Sequence, residues 1–454
     1  MTRQLPIIAL ATAPGRAGIG IVRISGKNLT SIVQALFKKA LKPRQAYLLD
    51  LHDSDDQVID KLIAIYYSAP ASFTGEDVLE LQCHGGPQLL ELVMRRCIEL
   101  GKNEGLVMAE PGEFSLRAFL NNKIDLAQAE AIADLIDAQS EAAVIGASRS
   151  LQGAFSDEIN ALIEEITQLR ILVESTLDFP EEEIEFLENA QALQRLLAVK
   201  TKIQTLLSGA KQGKILRDGI QLVLVGAPNV GKSSLLNRLA GEDVAIVTPI
   251  AGTTRDRVKE SIQIEGVPMH IIDTAGLRET ADEVEEKGIE RTWEAIRLAD
   301  LVIFLTSPNT QTESGELRAQ ILDALPPRCP VLELMNKSDL LAKSPSTAKN
   351  EVLLISAKTG QGIDALKKKI LEMVGWNGPQ EGPIVARRRH LDCLERAAEH
   401  IARSEQFASN GNKSLELFAE ELFLAQNHLG QITGKLLPDD LLGKISVSYT
   451  HLRA

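Results

Sequence analysis

Short apolar runs bounded by Gly- and Pro-containing turns mark the first part of the chain. Runs of this length between turn residues predict strands, and longer segments with apolar side chains at helical spacing predict helices. The predicted strands are 7–11, 19–24 and 62–67, and the predicted helix is 89–100. We therefore expect residues 1–120 to form an α+β domain.

From Asn121 onward the hydrophobic pattern changes to a helical period. Ala, Glu, Asp and Ile dominate, and the clearest interruption is Pro180, which cannot sit inside a regular helix. The predicted helical segments are 127–149, 155–177 and 191–207. We therefore expect residues 121–215 to form the first part of a helical domain.

Strand-like and helix-like patterns alternate between residues 216 and 376, as in a mostly parallel sheet covered by helices. Residues 375–383 are rich in Gly and Pro and predict a linker. Helical spacing returns at 388–407 and 415–429. Because helices occur on both sides of the alternating region, we expect an α/β domain inserted into a helical domain whose second part is 377–454.

Composition narrows the class of protein. With 454 residues, of which 44% are hydrophobic, the chain can form two to four domains with sizeable cores. A net charge of −13 argues against a uniformly basic nucleic-acid binder, although a local basic patch remains compatible with it. None of the four cysteines forms a C-x-x-C pair, so a zinc site or a disulfide framework is not expected.

The N-terminal sequence has no signal-peptide layout, and no apolar run reaches the length of a membrane span. We therefore expect a protein without a membrane span in a reducing cytoplasm.

Residues 226–234 read Gly-Ala-Pro-Asn-Val-Gly-Lys-Ser-Ser and fit the phosphate-loop pattern G-x-x-x-x-G-K-[ST]. A strand-like run precedes the loop and helical spacing follows it. Gly226 and Gly231 allow a tight turn whose N–H groups can hold phosphate charge. Lys232 supplies a cation at the outer phosphates, and Ser233 supplies a hydroxyl for Mg²⁺. The loop predicts a nucleoside triphosphate site.

Two further fragments have the chemistry of a switch around the γ-phosphate. Asp273-Thr274-Ala275-Gly276 follows an apolar run, so Asp273 suits the outer shell of Mg²⁺ and Gly276 can offer an N–H to the γ-phosphate. Residues 252–256 lie before it in a stretch with turn residues, and Thr254 is the candidate second hydroxyl on Mg²⁺. We expect these fragments to respond to the γ-phosphate.

The last two fragments indicate which base is bound. Asn336-Lys337-Ser338-Asp339 follows a strand-like run, and the carboxylate of Asp339 can accept from guanine N1–H and its 2-amino group, a donor pair that adenine lacks. Ser356-Ala357-Lys358 follows another such run and would support the base through a main-chain N–H. Each fragment alone is also compatible with an ordinary loop, but five in this order predict GTP binding.

Leu277 occupies the position where switch GTPases usually carry Gln, and its side chain cannot orient the attacking water. Hydrolysis is then either very slow or assisted by another group. The acidic run 282–286 offers candidates, although such a run is also compatible with a solvated helix start.

A distinctive set of motifs occupies the N-terminal region. Residues 14–26 read Pro-Gly-Arg-Ala-Gly-Ile-Gly-Ile-Val-Arg-Ile-Ser-Gly, and the other motifs are 73–80 (Phe-Thr-Gly-Glu-Asp-Val-Leu-Glu), 84–86 (His-Gly-Gly), 111–114 (Pro-Gly-Glu-Phe) and 121–123 (Asn-Asn-Lys). With these motifs, the guanine-nucleotide core and the flanking helices, the chain closely resembles the MnmE (TrmE) family of tRNA-modifying GTPases from residue 1 to about residue 445.

The resemblance implies an N-terminal folate-binding and dimerising domain, a helical domain and an inserted Ras-like G domain. It implies a GTP hydrolase that works as a homodimer and forms a heterotetramer with the flavoprotein MnmG (GidA). Together they would build an aminomethyl or carboxymethylaminomethyl group at C5 of the wobble uridine of certain tRNAs. A 5-formyl- or 5,10-methylene-tetrahydrofolate would supply the one-carbon unit.

The resemblance also implies ligands that the motifs alone leave open. Arg23, Glu80 and Lys123 would contact the folate, although composition alone favours a scaffold or surface role for each of these charges. A K⁺ ion held by Asn229, Thr248, Ile250 and Thr253 would supply positive charge when two G domains dimerise. Glu285 would act indirectly on the attacking water, with Lys232 and Thr254 completing the catalytic set.

The full GTP-binding set is drawn from the five fragments and the segment before them. It comprises Asn229, Val230, Gly231, Lys232, Ser233, Ser234, Thr248, Pro249, Ile250, Ala251, Gly252, Thr253, Thr254, Asp273, Thr274, Ala275, Gly276, Asn336, Lys337, Asp339, Ser356, Ala357 and Lys358.

Three interpretations remain open. The chain can instead be a ribosome-assembly GTPase that cycles on RNA, but such relatives carry a second G domain or a KH-type module, and neither is visible after residue 376. The helical domain can serve as a partner platform, which is compatible with either function. The run 387–389 of three arginines is either a tRNA or partner contact or a solvated helix start.

The C-terminal segment departs from the family pattern. Residues 441–445 fit the expected approach, but 446–454 contain neither the family's cysteine nor its terminal Gly-Lys and look like foreign sequence. A role of the tail in folate binding is therefore in doubt for this chain, whereas GTP hydrolysis should be less affected.

Overall fold

The computed structural model describes residues 5–178, 192–227, 229–242, 259–273, 293–294, 296–308, 315–327, 329–341, 352–378, 384–408 and 414–434. The described residues divide into two compact units, one running up to Ala129 and the other starting at Glu130. No helix within these ranges is long and apolar enough to cross a membrane.

The first unit is built on a six-stranded sheet with the strand order β3-β4-β5-β2-β1-β6. Its strands are β1 (Ile7–Leu10), β2 (Ile19–Gly26), β3 (Ala46–His52), β4 (Val58–Tyr67), β5 (Asp77–His84) and β6 (Val107–Met108). All neighbours are antiparallel except β1 and β6, which are parallel. The predicted strands at 7–11, 19–24 and 62–67 correspond to β1, β2 and the second half of β4.

Helices α1 (Thr30–Phe37) and α2 (Pro87–Leu100) cover one face of this sheet, and α3 (Glu113–Leu120) follows β6. The core between helices and sheet is aliphatic and fully enclosed, with Val22 and Ile24 of β2, Leu79 and Leu81 of β5 and Ile32 of α1 at its centre. The alternate residues of β2 and β5 point to the other face, because side chains alternate along a strand. That second face carries Arg23 of β2 and Glu80 of β5, two of the three candidate folate residues.

The second unit contains a six-stranded sheet with the order β12-β11-β10-β7-β9-β8. Its strands are β7 (Ile220–Gly226), β8 (Lys259–Ile264), β9 (Val267–Asp273), β10 (Leu301–Thr306), β11 (Val331–Met335) and β12 (Leu353–Leu354). Every pair is parallel except the β8–β9 hairpin, so the mostly parallel sheet predicted from the alternating pattern is confirmed. Helices α8 (Lys232–Glu242), α9 (Gly315–Ala324) and α10 (Ile363–Met373) follow its strands.

The remaining helices come from both sides of this sheet in the sequence. They are α4 (Leu126–Ile136), α5 (Glu141–Leu151), α6 (Ala154–Asp178), α7 (Ala192–Asp218), α11 (Arg388–Ala408) and α12 (Leu415–Thr433). Helix α12 packs on α6, and α11 packs on both α7 and α12. The continuous helix expected at 127–149 is interrupted, because Ser140 caps a new helix by accepting a hydrogen bond from the Ala143 N–H.

The chain segment that returns from the parallel sheet lies directly against α7. At Gly213 an added Cβ would overlap the carbonyl oxygen of Ile384, so only glycine permits this approach. The Gln212 amide donates to the carbonyl of Gly375 over 2.7 Å, and its oxygen accepts from the Asn377 N–H over 3.1 Å. The end of α7 therefore holds the residues that follow the parallel sheet in the sequence.

Candidate functional site

The phosphate loop lies at the carboxyl end of β7, between Gly226 and the first residue of α8. Asn229 and Gly231 have φ values of 64° and 98°, which places both in the left-handed region. An added Cβ at Gly231 would collide with the side-chain amide of Asn336, so this position requires glycine for space as well as for conformation. The loop has the tight turn that the sequence predicts.

Lys232 and Ser233 stand at the N-terminus of α8, where backbone N–H groups favour an anion. The Lys232 ammonium donates to the Gly226 carbonyl over 2.5 Å, which keeps the cation above the loop. Ser233 is exposed, and its hydroxyl makes no hydrogen bond within the described residues. It is therefore available as a ligand of Mg²⁺, a hard cation that prefers oxygen.

Asn336 connects the phosphate loop to residues 356–358, here called the base loop. It is 2% exposed, donates to the Val230 carbonyl over 2.9 Å and accepts from the Ala357 N–H over 2.9 Å. A buried amide with both ends satisfied stabilises the two loops against each other. The structure therefore gives Asn336 a positioning contact on each side of the site.

The neighbouring residues of the same motif are also held in place. Lys337 has a φ of 61° and donates to the Asn229 carbonyl over 2.5 Å. Asp339 accepts a hydrogen bond of 2.6 Å from the hydroxyl of the buried Ser356. That hydrogen bond, helped by the charges of Lys358 and Lys337, holds the pKa of Asp339 below its usual range. The carboxylate is thus kept ionised, as an acceptor for guanine must be.

In the base loop, two backbone N–H groups donate hydrogen bonds within the protein, and a third remains available to a ligand. The Ser356 N–H donates to the Gln361 carbonyl over 2.9 Å, and the Ala357 N–H donates to Asn336. The Lys358 N–H has no acceptor in the described part of the chain. Of the three residues predicted to support the base through the main chain, Lys358 is the one with a free donor.

Arg238 is a contributor that the sequence motifs do not reveal. It extends from α8 and donates to the carbonyls of Ala357 and Lys358 over 3.1 and 2.7 Å. The helix that begins at the phosphate loop is therefore fastened to the base loop. Arg238 lies outside any nucleotide motif, so only its contacts identify it.

Of the two fragments predicted to respond to the γ-phosphate, only Asp273 lies within the described residues. Asp273 ends β9 at the same sheet edge as the phosphate loop, because the carboxyl ends of parallel strands share one edge. Outside the described residues lie Thr248, Pro249, Ile250, Ala251, Gly252, Thr253, Thr254, Thr274, Ala275, Gly276, Leu277 and Glu285, together with the C-terminal tail from residue 435.

In the first unit, Arg23 and Glu80 face each other across the antiparallel β2–β5 pair. The guanidinium contacts the Glu80 carboxylate through Nε at 2.9 Å and Nη2 at 2.7 Å, with side-chain exposures of 29% and 16%. Both charges are thus half-buried on the face of the sheet that lies opposite α1 and α2. Their pairing places a planar cation and an acceptor next to each other, as recognition of a planar ligand with carboxylates requires.

Two aromatic rings flank this ion pair. The Arg23 guanidinium carbon lies 5.8 Å from the ring centroid of Phe73 and 5.9 Å from that of Phe114. The Lys123 ammonium donates to the Pro70 carbonyl over 3.0 Å, three residues before Phe73. The three predicted folate residues therefore share one region of the unit, which the loop 68–76 connects.

Polar residues of the motifs at 73–80 and 111–114 take part in a buried network of hydrogen bonds and ion pairs. Arg117 is 4% exposed and donates to Glu76 over 3.0 Å and to Glu113 over 2.6 Å. Ser25 donates to Glu76 over 2.9 Å and shares a 2.7 Å hydrogen bond with Thr74. This buried network fixes Phe73 and Phe114 beside Arg23, because each ring is adjacent in sequence to a member of the network.

Two of the three arginines at 387–389 form internal ion pairs. Arg387 contacts Asp134 over 2.8 Å, and Arg389 contacts Glu130 over 2.6 Å, while Arg388 is exposed and pairs with Asp392. Burial opposes ionisation of Glu130, but hydrogen bonds from His390 and Arg389 outweigh it and hold the pKa of Glu130 well below its usual range. Arg387 and Arg389 thus form ion pairs that join the start of α11 to α4.

Two family models match the chain. Residues 6–123 match the family described as the GTP-binding protein TrmE N-terminus, and residues 126–449 match the family described as the MnmE helical domain. The second match extends across the parallel sheet and the helices on both sides of it.

Curated relatives match along almost the whole chain. The tRNA modification GTPase MnmE of Polynucleobacter asymbioticus is 78% identical over 448 residues, covering 98% of each chain. The tRNA modification GTPase MnmE of Bordetella parapertussis is 54% identical over 449 residues, covering 99% of each. Among solved structures, the FeoB G-domain from Methanococcus jannaschii is 26% identical, covers 34% of this chain and 96% of that one, and has a TM-score of 0.26.

Proposed function

The chain belongs to the MnmE family of tRNA modification GTPases, and on this premise we propose that it is a K⁺-stimulated GTPase that modifies the wobble uridine of certain tRNAs. The membership confirms the expected enzyme class, a GTP hydrolase in tRNA modification, and a GTPase of this kind implies Mg²⁺ as its cofactor. In this proposal the chain acts as a homodimer and in a heterotetramer with a flavoprotein partner, in the cytoplasm. The product is the aminomethyl or carboxymethylaminomethyl group at C5 of the uridine.

The loops that carry Asn336, Asp339 and Ser356, here called the guanine corner, are the observation that most supports GTP as the substrate. Asn336 joins the phosphate loop to the base loop, and Ser356 orients the ionised Asp339. A carboxylate in this position accepts from two guanine donors, whereas adenine presents no matching pair. In this proposal Lys232 and the N–H groups at the start of α8 bind the phosphates. Ser233 and Thr254 would hold Mg²⁺, which would supply positive charge at the phosphates.

Asn229 supports the K⁺ part of the proposal. Its left-handed backbone is fixed by Lys337, while its side-chain amide makes no hydrogen bond within the described residues and is exposed. A neutral oxygen donor at the rim of the phosphate loop suits a hard monovalent cation. In the proposal Thr248, Ile250 and Thr253 complete the ion site, and Glu285 orients the attacking water indirectly.

The rate of GTP hydrolysis in K⁺ and in Na⁺ at equal ionic strength tests the ion site. We expect faster turnover in K⁺, and we expect Asn229→Ala to remove the difference between the two salts when the variant is assayed at saturating GTP. The exposed helical residue Asn237 provides the matched control, since Asn237→Ala should leave the K⁺ to Na⁺ ratio unchanged. Equal wild-type rates in the two salts would remove the ion site from the proposal.

The role of Glu285 is tested within its own acidic run. We expect Glu285→Ala to retain GTP affinity and to lose turnover by about tenfold or more, as removal of a positioning group does. Glu286→Ala is the matched control and should turn over normally. Loss of activity in both variants would mean that the run acts through its charge and not through one carboxylate.

Arg23, Glu80 and Lys123 support a tetrahydrofolate site in the first unit. Carboxylates of a folate tail suit the cations, and the aminopyrimidine edge of a pterin suits the Glu80 carboxylate. The half-buried ion pair and its two flanking rings give the site both charge and stacking surface. Calorimetry with 5-formyltetrahydrofolate should detect binding, and absence of any heat would contradict this part of the proposal.

The product is tested by adding the flavoprotein partner, tRNA and the folate, and by analysing tRNA nucleosides by mass spectrometry. We expect modified wobble uridine only when GTP is hydrolysed. A ribosome-assembly switch would instead need a second G domain or a KH-type module. Within the described residues after 376, only α11 and α12 follow, so no observation favours that alternative.

A further inference from the structure

The segment 38–44 of the first unit concentrates positive charge on an otherwise acidic protein. Its cations Lys38, Lys39, Lys42 and Arg44 are all exposed, while the chain as a whole carries a net charge of −13. The segment connects α1 to β3. A local excess of this kind raises the concentration of anions around it.

These four cations are not neutralised. In the same unit, Arg23, Lys61, Arg95, Arg96 and Arg117 pair with carboxylates, whereas the scattered cations Arg16, Lys27 and Lys102 do not within the part of the chain that the structure describes. No carboxylate among the described residues forms an ion pair with a cation of 38–44. The charge of the segment is therefore free to bind an external anion.

The segment is held in a defined conformation. The Lys39 ammonium lies 5.0 Å from the ring centroid of Tyr47, whose hydroxyl accepts from the Lys42 N–H over 3.2 Å. The Arg44 N–H donates to the Tyr66 carbonyl over 2.7 Å. A cationic surface that is already ordered loses little conformational freedom when it binds a ligand.

The segment also adjoins the candidate folate site. Arg44 donates to the Ala71 carbonyl over 3.0 Å, and Lys123 donates to the adjacent carbonyl of Pro70 over 3.0 Å. Phe73, two residues beyond Ala71, flanks Arg23. Arg44 and Lys123 therefore contact adjacent carbonyls of the loop 68–76, the same loop that carries Phe73 beside Arg23.

We propose that Lys123, Arg44 and the lysines of 38–44 bind the oligo-γ-glutamate tail of a tetrahydrofolate whose ring lies at Glu80 and whose first glutamate lies at Arg23. Each γ-linked glutamate adds one carboxylate to a flexible chain, which a row of exposed cations can bind in succession. The inference rests on the folate part of the proposed function. It adds that the natural ligand is a polyglutamylated folate and not the form with a single glutamate.

A single-stranded nucleic acid fits these residues less well. Binding of unpaired bases commonly uses exposed aromatic rings for stacking. Tyr47, the aromatic residue that contacts the cations of this segment, is only partly exposed and has Lys39 on its ring. The ligand favoured here is therefore anionic along its whole length and lacks bases.

Calorimetry on the full-length protein compares 5-formyltetrahydrofolate carrying one glutamate with the form carrying five. We expect the longer tail to bind about tenfold more tightly at low ionic strength, which is what several exposed charge pairs supply together. The gain should shrink as salt is added. Equal affinity of the two forms would overturn the inference while leaving the folate proposal intact.

A triple variant Lys38→Gln, Lys39→Gln, Lys42→Gln locates the effect. We expect its affinity for the single-glutamate form to be unchanged and the advantage of the longer tail to disappear. The control variant Lys61→Gln, Arg95→Gln, Lys102→Gln makes the same change of charge elsewhere in the unit and should keep the advantage. An equal loss in both variants would overturn the inference, because net charge alone would then explain the binding.

Two further outcomes separate this inference from the function on which it rests. If neither folate form binds the wild-type protein, the folate proposal itself fails. If the triple variant keeps the advantage of the longer tail but loses tRNA binding in a filter assay, the lysines serve RNA and the inference is overturned.

Discussion

The guanine corner of the second unit and the Arg23–Glu80 site of the first are built in opposite ways. At the guanine corner, the loops at the ends of parallel strands are held together by hydrogen bonds from Asn336, Ser356 and Arg238. On the N-terminal sheet, two charged side chains 57 residues apart meet because antiparallel strands place them opposite each other.

The difference determines what a ligand must displace. Asp339 stays ionised through a hydrogen bond from a neutral hydroxyl, and its position near the surface leaves it able to accept from a base. Arg23 and Glu80 neutralise each other, so a folate that uses either one competes with their ion pair. We therefore expect loss of Asp339 to cost more affinity than loss of Arg23.

The largest effect is expected for Asp339→Asn. It removes the charged acceptor for two guanine donors, so the dissociation constant for GTP should rise about 100-fold, since hydrogen bonds to charged groups are the strong ones. Competition with a fluorescent GTP analogue measures this, and xanthosine triphosphate should gain affinity. Asp364→Asn, an exposed acid of α10, is the control and should bind GTP normally. Normal GTP binding by Asp339→Asn would place base recognition elsewhere.

The corresponding change on the sheet is Arg23→Ala. We expect it to weaken 5-formyltetrahydrofolate binding by about 30-fold, since one charge-assisted contact is lost and Glu80 remains half-buried without its cation. Arg23→Lys should recover only part of the affinity, because an ammonium lacks the planar fork. Calorimetry measures all three proteins. If Arg23→Ala cost more than Asp339→Asn, the expected order of the two sites would be reversed.

Ser356→Ala tests how the carboxylate of the guanine corner is held. We expect GTP to bind about tenfold more weakly at neutral pH, because one hydrogen bond that orients Asp339 is lost. The Ser356 hydroxyl is the main reason that the pKa of Asp339 is low, so the pKa should rise toward its usual value in the variant.

The pH dependence follows from the sign of that shift. GTP binding needs ionised Asp339 and is lost as the pH falls through its pKa, so the loss should begin at a higher pH in Ser356→Ala than in the wild type. A titration of GTP affinity from neutral pH down to below about pH 4, where an ordinary aspartate titrates, measures this. Ser31→Ala, at an exposed position of α1, is the control and should follow the wild-type curve.

The smallest effect is expected for Arg238→Gln. It removes hydrogen bonds to the carbonyls of Ala357 and Lys358 while the base loop keeps its contacts with Asn336. We expect GTP affinity to fall about fivefold, as loss of one modest net interaction does. The exposed Arg297 provides the control, and Arg297→Gln should have no effect. An effect as large as that of Asp339→Asn would mean that loop position, and not base contact, limits affinity.

The sequence alone determined the nucleotide and the enzyme class. Phosphate loops and base loops are local motifs whose chemistry depends on backbone conformation and on residues close together in the chain, so linear spacing is enough to recognise them. The alternating pattern at 216–376 predicted the parallel sheet, and the N-terminal motifs identified the family. Helix ends were less predictable, because the break at Ser140 depends on a side-chain cap within an otherwise helical pattern.

Tertiary structure alone decided how long-range partners meet. It brought Arg23 into contact with Glu80 and added Arg238 to the nucleotide site. It also gave the Ser356 and Ala357 N–H groups acceptors within the protein, and left the Lys358 N–H available to a ligand. It also turned Arg387 and Arg389 inward onto Asp134 and Glu130. These contacts join residues far apart in the chain, so no local pattern encodes them, and only packing and charge pairing in the folded protein bring them together.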